Sequence, residues 1–588
     1  MNSEQNKYRW ILLTGIIIIA VSYMVIGALL PAHVFWISDG GNKAIIVQNI
    51  ERTGSDSINY PAQRYDKLKD YFPDSVFHFN KRGNKIHSIF SCYFPRMSVP
   101  LFKAMGWSGL YILPMLCGLC LLVISILLVK RLKLPPLCEL SLPLLAFATP
   151  LFFYSLTFWE MTPAVLLSTI AIMLLFKDEK HFSPNIIQCF CCGFILGLAV
   201  ILREEAYVLS TSVLLALFFS RKRFHKLLPC GFGLALPVFP LWLFQLLRHG
   251  HILGLHGSTY HSHNTASQGF NLITFLLQKL NGYFIYLFKL NSMSFEWQWY
   301  YLPLLLPVFA AVAAGLYYKH YRHGRTAKTI ILAAAVVSTS ILTVMLWINK
   351  SPVLNSIFTV GFLTSSPLLL PGVISLRPLL FTRRYGIGYL TLISITFCLL
   401  LPPVLSQNDM GVIWGARHFL FLYPIMLPLS IYAVAHTFNL HKHKISVIIL
   451  LMLCLISFAI QIRGIHNLFM MKNNMSKLNH QIAKNTGKLI ISDIYWLVPM
   501  VPELYFQKQF MQFKSGKQMV SLVKQLKRHG VNNFSMILSK NPHYRRAEAK
   551  DWNKVSRILK ISRPIQVHLP GADFMDVFIV PCEIVQPQ

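Results

Sequence analysis

Acidic residues are scarce in this chain, with 22 Asp and Glu against 55 Lys and Arg in 588 residues, and charge of either sign makes up only 13%. So little charge does not suit the surface of a water-soluble globule. Apolar residues at 54%, gathered in runs of roughly 16 to 22, match instead the ~20 that a bilayer-crossing helix needs. The run ILLTGIIIIAVSYMVIGALL after Lys7 and Arg9 is too long for a signal-peptide core and has no A-x-A cleavage site behind it, so it reads as a retained helix. About thirteen spans are predicted, starting near residues 10, 109, 141, 162, 185, 206, 228, 300, 329, 355, 386, 418 and 445. Repeated halves and ionisable residues near mid-membrane are missing, which counts against a transporter or a flippase of a lipid-linked sugar, the alternative function class.

Recognisable metal-ligand spacings are missing too. Most of the 11 cysteines lie in apolar runs, where a thiol behaves as a small hydrophobe. The pair Cys117 and Cys120 falls inside a predicted helix, and only Cys92 and Cys582 read as external. The net charge of +33 would suggest nucleic acid in a soluble protein. Here, with the N-terminus cytoplasmic, the inner connections KRLK, KDEK, RKRFHK, KHYRHGRTAK, RPLLFTRR and LHKHK hold about twenty Lys and Arg against about three in the short outer ones. Orientation signals and anionic lipid headgroups account for much of the charge, and nucleic acid is not an expected partner. Two long outer loops result, 31–108 and 248–298, and the segment from 462 lies outside.

The few acidic residues fall in outer connections. Asp39 opens the first outer loop in FWISDGGNKAIIVQNI, where two glycines permit a tight turn and AIIVQNI reads as an amphipathic helix on the membrane surface. Arg96 follows in an aromatic and proline-rich run before the second span. Glu160 is the only charge in LTFWEMTP, and ILREEAY packs Arg203, Glu204 and Glu205 where the chain barely leaves the bilayer. Charges so placed are costly and usually functional, against the alternative of a helix-end ion pair. The second loop carries His249, His251, His256, His261 and His263, read as a substrate-facing stretch rather than a zinc site because no acid or cysteine accompanies them. Arg417 and His418 open the twelfth span, where a guanidinium and helix N–H groups suit a phosphate, or simple headgroup snorkelling.

Taken in order, Asp39, YFPRMSVPLF, FWEMTPA, LREEAYVLS and WGARHFLFLYPIMLPL resemble the GT-C superfamily of membrane glycosyltransferases, near the protein O-mannosyltransferase and aminoarabinose transferase group. The resemblance covers about residues 10–460. It implies an all-α polytopic membrane fold and an inverting transfer from a polyprenyl-phosphate sugar donor to a glycan, lipid or protein acceptor at the outer face; the absence of a eukaryotic targeting signal and the Lys-, Ile- and Asn-rich sequence point to a bacterial plasma membrane. It further implies Asp39 as general base, with Arg203, Arg417, Lys43 and Arg96 toward the lipid phosphate, and Glu160, Glu204, His256 and His418 toward the substrate. Relatives with paired acids in this loop differ from the single Asp39 followed by two glycines, which leaves a divalent cation an open cofactor and no metal ligand assigned.

Composition changes from about residue 462, so the chain divides into a membrane domain, 1–461, and a small extracytoplasmic α/β domain, 462–588. KLIISDIYWLV and NNFSMILS read as strands. Between them SGKQMVSLVKQLKRHG reads as a helix capped by Ser515, with Met519, Leu522, Val523 and Leu526 on one face and Gly530 as its stop. Its SGKQ lacks the upstream glycine and the hydroxyl residue of a phosphate-binding loop.

Overall fold

The computed structural model describes residues 3–73, 78–135, 138–139, 141–176, 184–219, 224–255, 286–287, 361–382, 384–404, 414–437, 444–540, 558–570 and 575–585. The chain forms two compact units, one of Met1–Gly27, Leu113–Phe244 and Ser267–Asn467, the other of Ala28–Ile112, Gln245–Ala266 and Leu468–Gln588. The second unit thus gathers Ala28–Ile112 and Gln245–Ala266 with the C-terminal segment Leu468–Gln588, whereas the hydropathy-based division set 462–588 apart.

Among the described residues the first unit is helical throughout. Four helices among the described residues are long and apolar enough to cross a membrane: Tyr93–Arg131, Leu227–His249, Arg417–His436 and Leu450–Asn485. Shorter apolar helices are Leu13–Leu29, Met161–Leu174, Ile186–Leu202, Glu205–Phe219 and Gly386–Leu401. This is a multi-pass membrane protein. The expected spans starting near 300 and 329 lie outside the described residues, as does the start of the one near 355. The span expected from 141 is broken into Ser141–Phe147 and Leu151–Ser155, because Pro150 has no N–H to continue a helical ladder. Helices Ile186–Leu202 and Leu227–His249 approach so closely that a Cβ at Gly193 would lie 1.9 Å from the Cys230 carbonyl oxygen, the small-residue contact that lets backbones meet in lipid.

The second unit holds the sheets. A hairpin pairs β1 (Phe79–Arg82) with β2 (Lys85–Ser88). The larger sheet runs β4-β3-β5-β8-β6, with β7 also on β8. Its strands are β3 (Leu489–Ser492), β4 (Gln509–Gln512), β5 (Asn533–Ser539), β6 (Leu559–Ile561), β7 (Ile565–Val567) and β8 (Val577–Ile584). β3 lies parallel to β4 and β5, while β5, β6 and β7 run antiparallel to β8. Helix Gly516–Arg528 starts where expected, with Ser515 accepting from the Gln518 N–H and Met519, Leu522, Val523 and Leu526 buried. Gly530 follows at φ 71°, the left-handed stop a glycine supplies. Cys92 and Cys582 are free thiols, and burial pushes the Cys582 thiol up to about 12.

One local expectation is overturned. The glycines after Asp39 make no turn; they lie inside helix Ser38–Thr53, whose residues Gly40–Ile50 are all buried. It is therefore not an amphipathic surface helix. A Cβ at Gly41 would fall 1.5 Å from the Pro499 carbonyl oxygen, so the missing side chain is what lets the helix seat against the segment Leu497–Met500.

Candidate active site

Charges in the first unit collect at helix ends. Glu160 immediately precedes helix Met161–Leu174, and Pro163, needing no hydrogen bond there, occupies its first turn. The apolar helix Ile186–Leu202 ends at Arg203, which is extended at φ −146°, ψ 131° and donates its N–H to the Ala199 carbonyl. Glu205 opens the next helix, Glu205–Phe219. A cation after one helix and an acid before the next both suit the helix dipoles.

These side chains meet. Arg203 Nη1 donates to Glu160 Oε1 at 2.9 Å and Nε donates to Glu205 Oε2 at 2.8 Å, while Nη2 pairs with Glu205 Oε1. His418 Nδ1 also pairs with Glu205 Oε1. Arg417 Nε donates to His418 Nε2 at 3.2 Å, so Nε2 accepts and the proton sits on Nδ1 facing the carboxylate, a neutral tautomer fixed by its neighbours. The Arg417 guanidinium lies 5.2 Å from the Trp159 ring centre, a cation–π contact, and Tyr286 meets the His418 ring edge-on at 6.1 Å. Two guanidinium charges balance two carboxylates around a neutral imidazole. The buried pairs of Arg203 with Glu160 and Glu205 hold only while all three are present, since removing one partner of a buried pair costs about 3–5 kcal/mol.

Arg203 is therefore engaged at all three guanidinium nitrogens by Glu160 and Glu205. Of the two adjacent acids, Glu205 is buried and paired whereas Glu204 is exposed in the turn. Arg417 and His418 begin a 3-10 helix, Arg417–Leu422, and not an α-helix; His418 is buried and Arg417 half-buried.

The second unit contains Asp39, in the first turn of helix Ser38–Thr53. Its Oδ1 lies 3.6 Å from His78 Nε2. Asn42, one turn along the same helix, places Nδ2 2.9 Å from His78 Nδ1. With the amide donating, Nδ1 accepts and the ring hydrogen is on Nε2, directed at the carboxylate. The His78 ring packs against Phe90 at 5.1 Å, and Lys43 Nζ sits 4.8 Å from the Phe90 centre with the residue fully buried. Aspartate, imidazole and amide thus form a chain on one helix face and a loop.

Arg96 is exposed on helix Tyr93–Met105, and His256 lies outside the described residues, as do His261 and His263. Among the described residues no group of three or more His, Cys, Asp or Glu could hold a metal ion. Sequence reading missed His78, Asn42 and Trp159 and did not single out Glu205. A signal existed for Glu205, since it shares ILREEAY with Arg203; His78 lies far from Asp39 in the chain and carried none.

No family model and no curated protein matches the chain. The structure is similar to that of ArnT from Cupriavidus metallidurans bound to undecaprenyl phosphate, at 12% identity over 97% of this chain and 99% of that one, with a TM-score of 0.43. It is similar also to the Archaeoglobus fulgidus oligosaccharyltransferase tethered with an acceptor peptide, at 11% identity over 90% of this chain and 69% of that one, TM-score 0.48. AglB from the same organism, in complex with an inhibitory peptide and a dolichol-phosphate, gives 11% identity over 90% and 70% and a TM-score of 0.46.

Proposed function

We propose that the chain is a GT-C-type membrane glycosyltransferase that moves a sugar from a polyprenyl-phosphate donor to an acceptor at the outer face of a bacterial plasma membrane. The observation that carries this reading is the buried set Glu160, Arg203, Glu205 and His418, with Arg417 on Trp159, all at helix ends. A carrier of lipid-linked sugar would instead need ionisable groups along a path through the helices.

Asp39 is the proposed general base. Its carboxylate takes the proton of the acceptor hydroxyl as that oxygen attacks the anomeric carbon, and the bond to the phosphate oxygen breaks with the electron pair leaving on the lipid phosphate. The sugar is inverted in one displacement. His78, hydrogen toward Asp39, orients the carboxylate. Arg417 is the proposed contact to the departing phosphate, where a charge-assisted hydrogen bond has most effect. Arg203 then acts through the two carboxylates it clamps. Lys43 and Arg96 remain supporting cations, and Glu160, Glu204, His256 and His418 the proposed sugar contacts. No described residue is assigned to a metal.

Single-turnover transfer by Asp39→Asn at saturating donor tests this. The amide still accepts a hydrogen bond but cannot take a proton, so turnover should fall about 10²- to 10⁴-fold with donor binding retained. Activity within a few-fold of wild type would remove Asp39 from the chemistry.

A further inference from the structure

The helix Gly516–Arg528 has a face that neither the fold nor the transfer reaction uses. Its apolar residues Met519, Leu522, Val523 and Leu526 are buried, while Lys517, Lys524, Lys527 and Arg528 are exposed, with Lys514 before it and His529 after it. The helix contains no acid. Lys517, Lys524 and Arg528 follow at seven and four residues, so they stand on one stripe, about 10 Å and then about 6 Å apart along the axis.

Helix stability does not explain the stripe. Lys527 and Arg528 in the last turn favour the helix dipole, but Lys517 in the first turn and Lys514 ahead of it oppose it. The positive-inside rule does not explain it either, since this segment reads as external. The stripe continues onto the first outer loop within the same unit. Gln525 Nε2 donates to the Tyr65 carbonyl at 2.6 Å, the His529 ring meets the Tyr65 ring at 6.0 Å, and the Arg64 guanidinium covers that ring at 4.4 Å. Arg64 and Lys67 are exposed beside it.

From this juxtaposition we propose that Arg64, Lys67, Lys517, Lys524 and Arg528 form a docking face for an anionic glycan chain, which, on the glycosyltransferase reading, is the acceptor class the protein selects. A row of cations at fixed intervals suits a chain carrying repeated carboxylate, sulfate or phosphate groups. A membrane surface fits less well. Helices that bind lipid headgroups insert large apolar side chains beside their cations. Among the described residues the helix exposes none; Leu68 of the adjoining loop is 69% exposed.

The test uses the full chain in nanodiscs of neutral lipid and a fluorescent heparin oligosaccharide, with a neutral dextran oligosaccharide and phosphatidylglycerol vesicles as further arms. Binding to heparin should weaken about tenfold or more at low salt in K517Q/K524Q/R528Q, and vanish toward high salt as charges are screened. K517R/K524R/R528K, which keeps every charge on the stripe, should retain it. The variant K488Q/K560Q/R563Q, which removes three exposed charges elsewhere, should change it less than twofold. Matching thermal unfolding of both Gln variants and wild type keeps a folding defect apart. Equal loss in both Gln variants, or no loss in either, overturns the proposal. So does a triple variant that loses vesicle binding and keeps heparin, which would make the face a membrane contact. Since binding is read without transfer, it stands or falls separately from the transferase reading.

Discussion

Arg203 and Arg417 both lie among the buried acids and rings of the first unit, yet their substitution should be felt differently. Arg203 is clamped by Glu160 and Glu205, so Arg203→Ala leaves two buried carboxylates facing each other and should destabilise by about 3–5 kcal/mol. Thermal unfolding in detergent reads this directly, and a wild-type midpoint would show the pairs to be dispensable. Arg417→Ala should fold nearly as wild type but lose about 1.5–3 kcal/mol of donor affinity, with Arg417→Lys recovering part because an ammonium cannot form the bidentate fork. Unchanged donor affinity would return Arg417 to the role of an interfacial anchor. Much of this cluster was legible in the sequence: isolated charges in FWEMTP and LREEAY are expensive unless paired. Which of Glu204 and Glu205 turns inward was not, because that depends on where the helix begins, a matter of one residue.

At the scale of elements, Gly41 and Asp56 carry the clearest expectations. Gly41→Ala places a methyl group against the Pro499 carbonyl oxygen, 1.5 Å from the ideal position; backbone must shift, at a cost of about 1–3 kcal/mol or more. Protease sensitivity of the second unit should rise, and an unaltered digestion rate would mean the contact yields freely. Asp56 accepts from Arg248 Nη2 at 2.7 Å. Burial pushes its carboxyl up, but the Arg248 hydrogen bond and charge outweigh it and hold the group below its ordinary value. A depressed folded-state pKa gives stability that is present above the unfolded value of about 4 and lost as pH falls through the folded one. The unfolding midpoints of wild type and Asp56→Asn should therefore differ at neutral pH and converge in acid; a constant difference would show that the charge is not the source. Helix Gly516–Arg528 and strands β3 and β5 could be read from the chain because their apolar period, cap and stop are local. Helix Ser38–Thr53 could not. Its burial comes from residues such as Pro499, hundreds of positions away, and two glycines that look like a turn are in fact a packing surface.

For the whole molecule, the scarcity of acids and the apolar runs sufficed to identify a multi-pass membrane protein, while the break at Pro150 shows how hydropathy overlooks a helix that stops inside an apolar run. Orientation is read from where the basic residues fall along the chain. A reporter fused after Gln588 should be external and one inserted near His323 cytoplasmic, and finding both on one side would overturn the orientation and the site assignments that rest on it. The central claim, that this protein breaks and forms glycosidic bonds, is tested most directly by reconstituting it in liposomes with a radiolabelled polyprenyl-phosphate sugar and an acceptor extract. The account predicts label on the acceptor, with inverted anomeric configuration, from wild type and not from Asp39→Asn. Label that crosses the bilayer still joined to its lipid would contradict it.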